Sequence, residues 1–384
     1  MLKIVIAWIE MLIMLHTYIP SILSSPQPSY EATYQNLGTP LLENYPDDPF
    51  SRSPWDMIVY DDKLFVGGGD YDKNTGPVPV YYYDLNTEQW INSGSINDEQ
   101  IEHFKVIQNT LMIPGCDPRD DWEYGNIYQY QDSQWFKNRS IPGGIHQFDL
   151  VEYEGMIFVA LGVSAGEYPA AVSKDQGTTF EQIPFFKNGL PLDTAMKDNP
   201  EINTISNRVY DFFLLNGELY AYYCCITNLN SYLEIYQYRD EGFHYYCVLP
   251  ENITTRRTSY RTFNTKVEYD GKLYYTTGNL YVTTDLNRAE RIILTDKCAV
   301  TDINIIDNKL YTVTTEKNEN GTYRNALWKY NNTRESFYEV FYFTSNCPVL
   351  SFSYANDVFY FGTGHGVLES ECTQCGSILS VNYP

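Results

Sequence analysis

An alternation of apolar and polar positions behind a two-residue turn returns along the chain, and "YDGKLYYTTG" at residues 269–278 shows it in full. The turn and its apolar pair occur as "DDKLF" at Leu64, "QNTLM" at Leu111, "EGMIF" at Ile157, "NGELY" at Leu219, "DGKLY" at Leu273, "DNKLY" at Leu310 and "NDVFY" at Phe359, seven times in all. An apolar run precedes each turn: "WDMIVY", "FKVI", "FDLVEY", "YDFFLL", "TKVEY", "TDINII" and "VLSFSY". A third run follows, such as "VPVYYYD", "GNIYQY" or "YLEIYQY", and most units close on a fourth that carries an aromatic, as in "EQWINSG" and "SQWFKN". Turn residues between alternating runs make antiparallel hairpins, and successive hairpins make a four-stranded meander. Such a sheet cannot bury both faces alone, and radial stacking covers them. The spacings scatter around the roughly 40 to 50 residues of a propeller blade. The pattern therefore predicts an all-β chain, a seven-bladed β-propeller of four-stranded antiparallel blades. The longest gap holds "FFKNGLPLDTAMKDNPEINTISN", a Gly/Pro/Asn-rich loop insertion.

The last unit stops at "GSILSVNYP", its third strand. Residues 26–50, around "YEATYQNLG", are expected to supply the missing outer strand and remove an open edge. Residues 51–384 form the propeller. Residues 1–25 are expected to be a signal peptide: one early Lys, an apolar stretch, then Ser24 and Ser25 before a Pro-rich segment. Glu10 and His16 interrupt the apolar core, which leaves a surface-attached protein with an uncleaved anchor as the alternative to a secreted, extracellular one.

Composition sharpens this picture. The chain has 36 Tyr and 19 Phe, residues that suit a half-buried pleated surface. A formal net charge of -23 argues against nucleic acid and anionic membranes as partners, because both are held by Lys and Arg. Eight Cys fit an oxidising compartment. Glycosylation acceptor patterns occur at Asn138, Asn252, Asn320 and Asn331.

"SKDQGTTF" at residues 173–180 resembles the Asp-box of sialidase-like propellers, in which the carboxylate at the position of Asp175 accepts backbone N–H groups and a glycine such as Gly177 allows the tight turn. "YYYDLNTEQW", "YQYQDSQW" and "VGGGD" make the first two units similar to the kelch superfamily. The resemblance implies a propeller of kelch or Asp-box type. It does not extend to sialidase chemistry, which needs an Arg triad, a Tyr/Glu pair and an Arg-Ile-Pro motif; "RSIP" at Arg139–Pro142 carries an inserted Ser.

Propeller sites gather where loops lead into the innermost strands and join second strands to third. Here these loops carry Asp70, Asp72, Asp117, Asp120, Asp121, Glu123 and Glu167, with Asp56, His103 and His146 on the incoming loops. One reading is that Asp, Asn, Gly and Pro simply make turns. The other is a polar pocket walled by Trp55, Trp122 and Tyr124, whose faces suit sugar rings. The ligand-binding set expected on this face is Asp70, Asp117, Asp120, Trp122, Tyr124, His103, His146 and Trp55. Hydrolysis would need two carboxyls at a defined separation, and Asp121 and Glu167 are the candidates. No cofactor is expected other than a structural Ca²⁺ held by clustered oxygen ligands. His103, His146 and His365 share the face and form a second metal candidate. Cys298 and Cys347 precede adjacent innermost strands and form one disulfide candidate; Cys372 and Cys375 form a lone C-x-x-C that suits a local disulfide or free thiols. The nucleophile-elbow, zinc-protease, phosphate-loop and dinucleotide motifs are absent from the sequence. The resulting expectation is an exported propeller that binds a glycan or an extracellular protein. A glycoside-active hydrolase or lyase, and a scaffold without a small-molecule site, are the rivals.

Overall fold

The computed structural model describes residues 29–163, 167–192, 204–227, 231–248, 265–365, 372 and 375–383. The signal segment and Asn252 lie outside them. Among the described residues no helix is long and apolar enough to cross a membrane. The described residues are built mainly of β-strands and turns, with a short 3-10 turn at Tyr71–Lys73.

Each of the seven turn phrases closes a hairpin between the first two strands of a meander. The pairs are Met57–Tyr60 with Lys63–Val66, Lys105–Ile107 with Thr110–Pro114, and His146–Tyr153 with Met156–Val163. Then come Thr204–Leu215 with Glu218–Thr227, Lys266–Tyr269 with Lys272–Thr276, Ala299–Ile306 with Lys309–Lys317, and Val349–Ala355 with Val358–Thr363. The central turn residues are Asp, Asn, Gly, Gln and Glu with positive φ, for example Asp307 at 48° and Asn308 at 57°. That backbone matches the right-handed twist of the flanking strands.

The separate-blade count differs from the expected seven. Among the described residues four sheets have four strands, one has five and one has 12. The smaller sheets are five discrete blades. The meander from His146 to Gln182 and the one from Thr204 to Val248 are fused, because Met156–Val163 runs past its own blade and pairs Gly162 with Arg208 and Val163 with Asn207. Phe185–Lys187 then adds in parallel to Gly242–Val248 at the other edge.

The ring closes through the N-terminal segment. Gln35–Gly38 pairs antiparallel with Ile378–Asn382 as the fourth strand of the last blade. Tyr30–Glu31 adds in parallel to Ser336–Ser345 and makes the five-stranded blade. Trp90 of the first blade donates its indole N–H to Leu37 O at 2.7 Å. Buried Arg52 donates to Cys375 O at 2.7 Å, Pro46 O at 2.8 Å and Tyr45 O at 3.1 Å, which ties the two ends together. Apolar clusters sit between successive units all the way round, including Met57, Leu64 and Val66 against Tyr360 and Ile378 where the last unit meets the first.

The hairpin at residues 173–180 is held by its own hydrogen bonds. Asp175 accepts the Thr179 N–H at 2.8 Å and the Thr179 hydroxyl at 2.6 Å, and these bonds hold its carboxyl at about 2. Gly177, at φ 86°, donates its N–H to Ser173 Oγ.

Candidate functional site

Aspartates at the start of the innermost strands line the central channel. Asp56 accepts Met57 N–H and, from the next unit, Phe104 N–H, both at 2.8 Å. Asp149 does the same with Leu150 (2.9 Å) and Phe212 (3.0 Å), and Asp302 with Ile303 (2.8 Å) and Phe352 (2.9 Å). Asp211 occupies the position in the fourth unit, and lysines, Lys105 and Lys266, occupy it in the second and fifth. Lys266 Nζ lies 2.9 Å from Asp149 and 2.6 Å from Asp211, while Lys105 Nζ lies 2.7 Å from Asp149. The channel encloses about 710 Å³.

Burial raises every one of these carboxyls, and hydrogen bonds and neighbouring charges offset it to different degrees. Asp149 is held well below the carboxylate range because Lys105, Lys266 and His103 together outweigh its burial. Asp211 stays raised: its burial and the repulsion of Asp149 outweigh Lys266 and the weaker pull of Lys105. Asp302 is pushed up to about 8, first by burial, against the N–H bonds it accepts, with Asp56 adding repulsion. Asp56 rises to about 6, again from burial, although 27% of its side chain remains open and that exposure tempers the rise. Of the raised carboxyls, Asp56 and Asp302 resemble an acid/base pair beside a channel, but the oxygens of each accept backbone N–H groups of their own and the next unit. These groups fasten blade to blade.

The loop face of the first three units holds the residues singled out from sequence. Asp70 is buried and accepts the Asp72 N–H at 3.0 Å, with Lys73 3.5 Å away, so it caps its own loop. Trp55 donates its indole N–H to Gly69 O at 2.9 Å and stacks obliquely on Phe50. Gly69 has φ 101° and an added Cβ would come 2.4 Å from Glu99 O, which explains a glycine there. Asp120 pairs with Lys137 at 2.9 Å. Asp121 is 68% exposed, pairs with Arg139 and accepts the Glu123 N–H at 3.1 Å. Glu167 places its carboxylate against Gly143 and accepts the Asn207 amide at its backbone O. No hydrogen bond or ion pair joins Asp121 to Glu167 among the described residues. Trp122 is 64% exposed and Tyr124 38%.

The three histidines do not assemble at ligand distance among the described residues. His103 Nδ1 lies 4.0 Å from Asp56, His365 faces Phe50 edge-on, and only His146 joins a donor cluster, with Cys116 and Asp117. The expected Cys298–Cys347 pairing is also replaced. Cys347 is bonded to Cys372, Cys375 Sγ lies 3.6 Å from Cys347 Sγ, and the Cys298 thiol turns to Thr295 O.

Sequence reasoning missed the segment that these loops rest on. Asp98–Gln100 pairs with Cys116–Pro118, and Asp98, Glu99 and Glu102 are all buried. Asp98 accepts Tyr128 O–H at 2.5 Å and Asn126 N–H at 2.9 Å, while burial raises it to about 6. Glu99 is pushed up to about 7, first by burial and then by the charges of Asp117, Asp98 and Asp70, with Arg119 opposing. The signal was present in "NDEQIEHF", where three acids flank an apolar Ile between two blades.

No protein-family model matches the chain, and comparison with curated proteins finds no match. The chain is similar in fold to solved structures described as "Structure of U3-55K" (TM-score 0.50, 9% identity, 86% of this chain and 95% of that one) and "Crystal structure of RRP9 WD40 repeats" (TM-score 0.50, 9% identity, 93% and 99%). It is also similar to "puromycin hydrolase S511A mutant complexed with PGG" (TM-score 0.50, 10% identity), of which it covers 53%. At these identities the likeness shows a β-propeller fold alone.

Proposed function

We propose that the chain is an exported β-propeller of kelch or Asp-box type whose loop face, on the first three units, binds a glycan or an extracellular protein. Counting the two meanders of the 12-stranded sheet separately makes it a seven-unit ring. The observation that carries the reading is the aromatic rim. Trp122 and Tyr124 expose their rings beside the Asp121–Arg139 pair, on a loop anchored from below by the buried Asp98–Asn126–Tyr128 hydrogen bonds. A buried polar network of this kind fixes loop geometry, so the rings are presented without a large ordering cost. Indole and phenol faces pack on sugar C–H faces, and the neighbouring carboxylate and guanidinium bond to hydroxyls.

The rim favours binding over hydrolysis, since Asp121 is engaged by Arg139 and makes no bond to Glu167. A glycan array probed with the purified protein tests the reading. Trp122→Ala should weaken the strongest hit by about 30-fold or more, the cost of losing an aromatic anchor of roughly 2 kcal/mol. Equal binding by the variant would refute a role for this rim.

A further inference from the structure

Cys116, Asp117 and His146 bring a thiol sulfur, a carboxylate oxygen and an imidazole nitrogen within 4.8 Å of one another. The backbone sets this up. Cys116 is the ladder partner of Gln100 on one side and His146 on the other. Residues directly opposite each other hold their Cβ atoms about 4.5–5.5 Å apart on one face. The next residue along a strand normally points to the other face. Asp117 has φ 56°, a left-handed backbone that is uncommon outside glycine, and its carboxylate stands with the other two donors.

His146 Nδ1 is 3.0 Å from Asp117 Oδ1, yet this buried nitrogen makes no aligned hydrogen bond. Two ligands of a tetrahedral zinc ion with bonds of 2.0–2.1 Å stand about 3.3 Å apart, which is close to that separation. The imidazole is already oriented: it stacks on Phe148 at 5.3 Å, and its far edge leaves no room for a side chain at position 162, where an added Cβ would come 2.7 Å from Cδ2. Asp70, Asp98 and Asp117 act together on Glu99, with Arg119 opposing, and the Arg208 guanidinium lies 5.6 Å over the Phe148 ring on which His146 stacks.

We propose that Cys116, Asp117 and His146 bind a borderline divalent cation of the zinc class, as three protein ligands with a fourth position for water or a ligand oxygen. Sulfur, imidazole and carboxylate together select zinc or cobalt over Ca²⁺, which takes oxygen ligands. Binding deprotonates the Cys116 thiol and releases that proton to solvent. The site goes beyond the aromatic rim, and either can fail without the other.

Cobalt titration of the purified, chelator-treated protein tests it. The expected result is one Co²⁺ per chain with a thiolate-to-cobalt charge-transfer band, displaced by Zn²⁺. Cys116→Ser should abolish the band, and Cys375→Ser, in the other cysteine cluster, should leave it intact. Should Cys116→Ser misfold, Asp117→Asn serves instead, with Zn²⁺ affinity falling by more than the roughly 10- to 100-fold that losing an outer-shell partner costs. Failure to take up cobalt, a band that survives Cys116→Ser or is lost in Cys375→Ser, or unchanged Zn²⁺ affinity in Asp117→Asn would overturn the proposal.

Discussion

Replacing Lys266 with Met probes the charged ring at its most committed point. The ammonium is 2.9 Å from Asp149 and 2.6 Å from Asp211, with the lysine side chain 10% exposed and the two carboxylates 1% and 5%. Methionine fills a similar volume, so lost packing contributes little. Lost charge dominates. Removing one partner of a buried ion pair costs about 3–5 kcal/mol, since the other charge is left without compensation. Asp149 retains Lys105 at 2.7 Å, whereas Asp211 loses the one ion pair it makes among the described residues, so the lower end of that range is expected. The pH dependence separates charge from packing. In the wild type the Asp149 carboxyl lies below its unfolded value of 3.8, so its stabilisation is present above that pH and is lost as pH falls through the folded value. In Lys266→Met both carboxyls move up, and the variant's deficit arises from their ionisation above about pH 4. Urea unfolding followed by tryptophan fluorescence should show a loss of about 3 kcal/mol at pH 7 that narrows at pH 4. A deficit under about 1 kcal/mol at pH 7, or one equal at both pH values, would refute the assignment of Lys266 as a cation that stabilises the buried Asp149 and Asp211 carboxylates.

Two further substitutions test other parts of the ring. The Asp302 carboxyl is raised to about 8, above its unfolded 3.8, so its contribution to stability is full below pH 4 and is lost as pH rises toward 8; Asp302→Asn should flatten that decline in a series of urea melts, and an unchanged slope would show that Asp302 does not titrate there. Arg52→Ala removes three charge-assisted bonds, to Cys375, Tyr45 and Pro46, and should cost about 3 kcal/mol in urea unfolding, with a loss under about 1 kcal/mol counting against a closing role for Arg52.

Much of the fold was legible because it is local. A positive-φ pair such as Asp307–Asn308, between two alternating runs, carries its own hairpin, and the unfilled third strand at Ile378–Asn382 called for a partner that Gln35–Gly38 supplies. The fusion of two meanders was not legible, since it depends on two residue pairs at the end of Met156–Val163, Gly162 with Arg208 and Val163 with Asn207. The charged ring was half visible: "WDMIVY", "FDLVEY", "YDFFLL" and "TDINII" all place Asp second, and "TKVEY" places Lys there. What sequence withheld was the pairing, because Lys266 and Asp149 are 117 residues apart. At the loop face, sequence named Asp117 and His146 but not Cys116 beside them, and it missed the buried acids at Asp98, Glu99 and Glu102. Burial of a carboxyl is a property of packing, and composition alone does not announce it.

The closing strand also bears on how the ring assembles. Contacts between its two ends join positions as far apart as Thr39 and Ser377, 338 residues along the chain, whose hydroxyls meet at 3.0 Å. Loop-closure entropy must be met before such a contact gives anything back. During synthesis the first strand would leave the ribosome long before its partner exists, and Gln35–Gly38 would wait as an unpaired edge while the intervening hairpins form. Completion of the ring is therefore expected as a late, slow step of folding, and the waiting edge marks the interval in which strand exchange between two copies competes with closure.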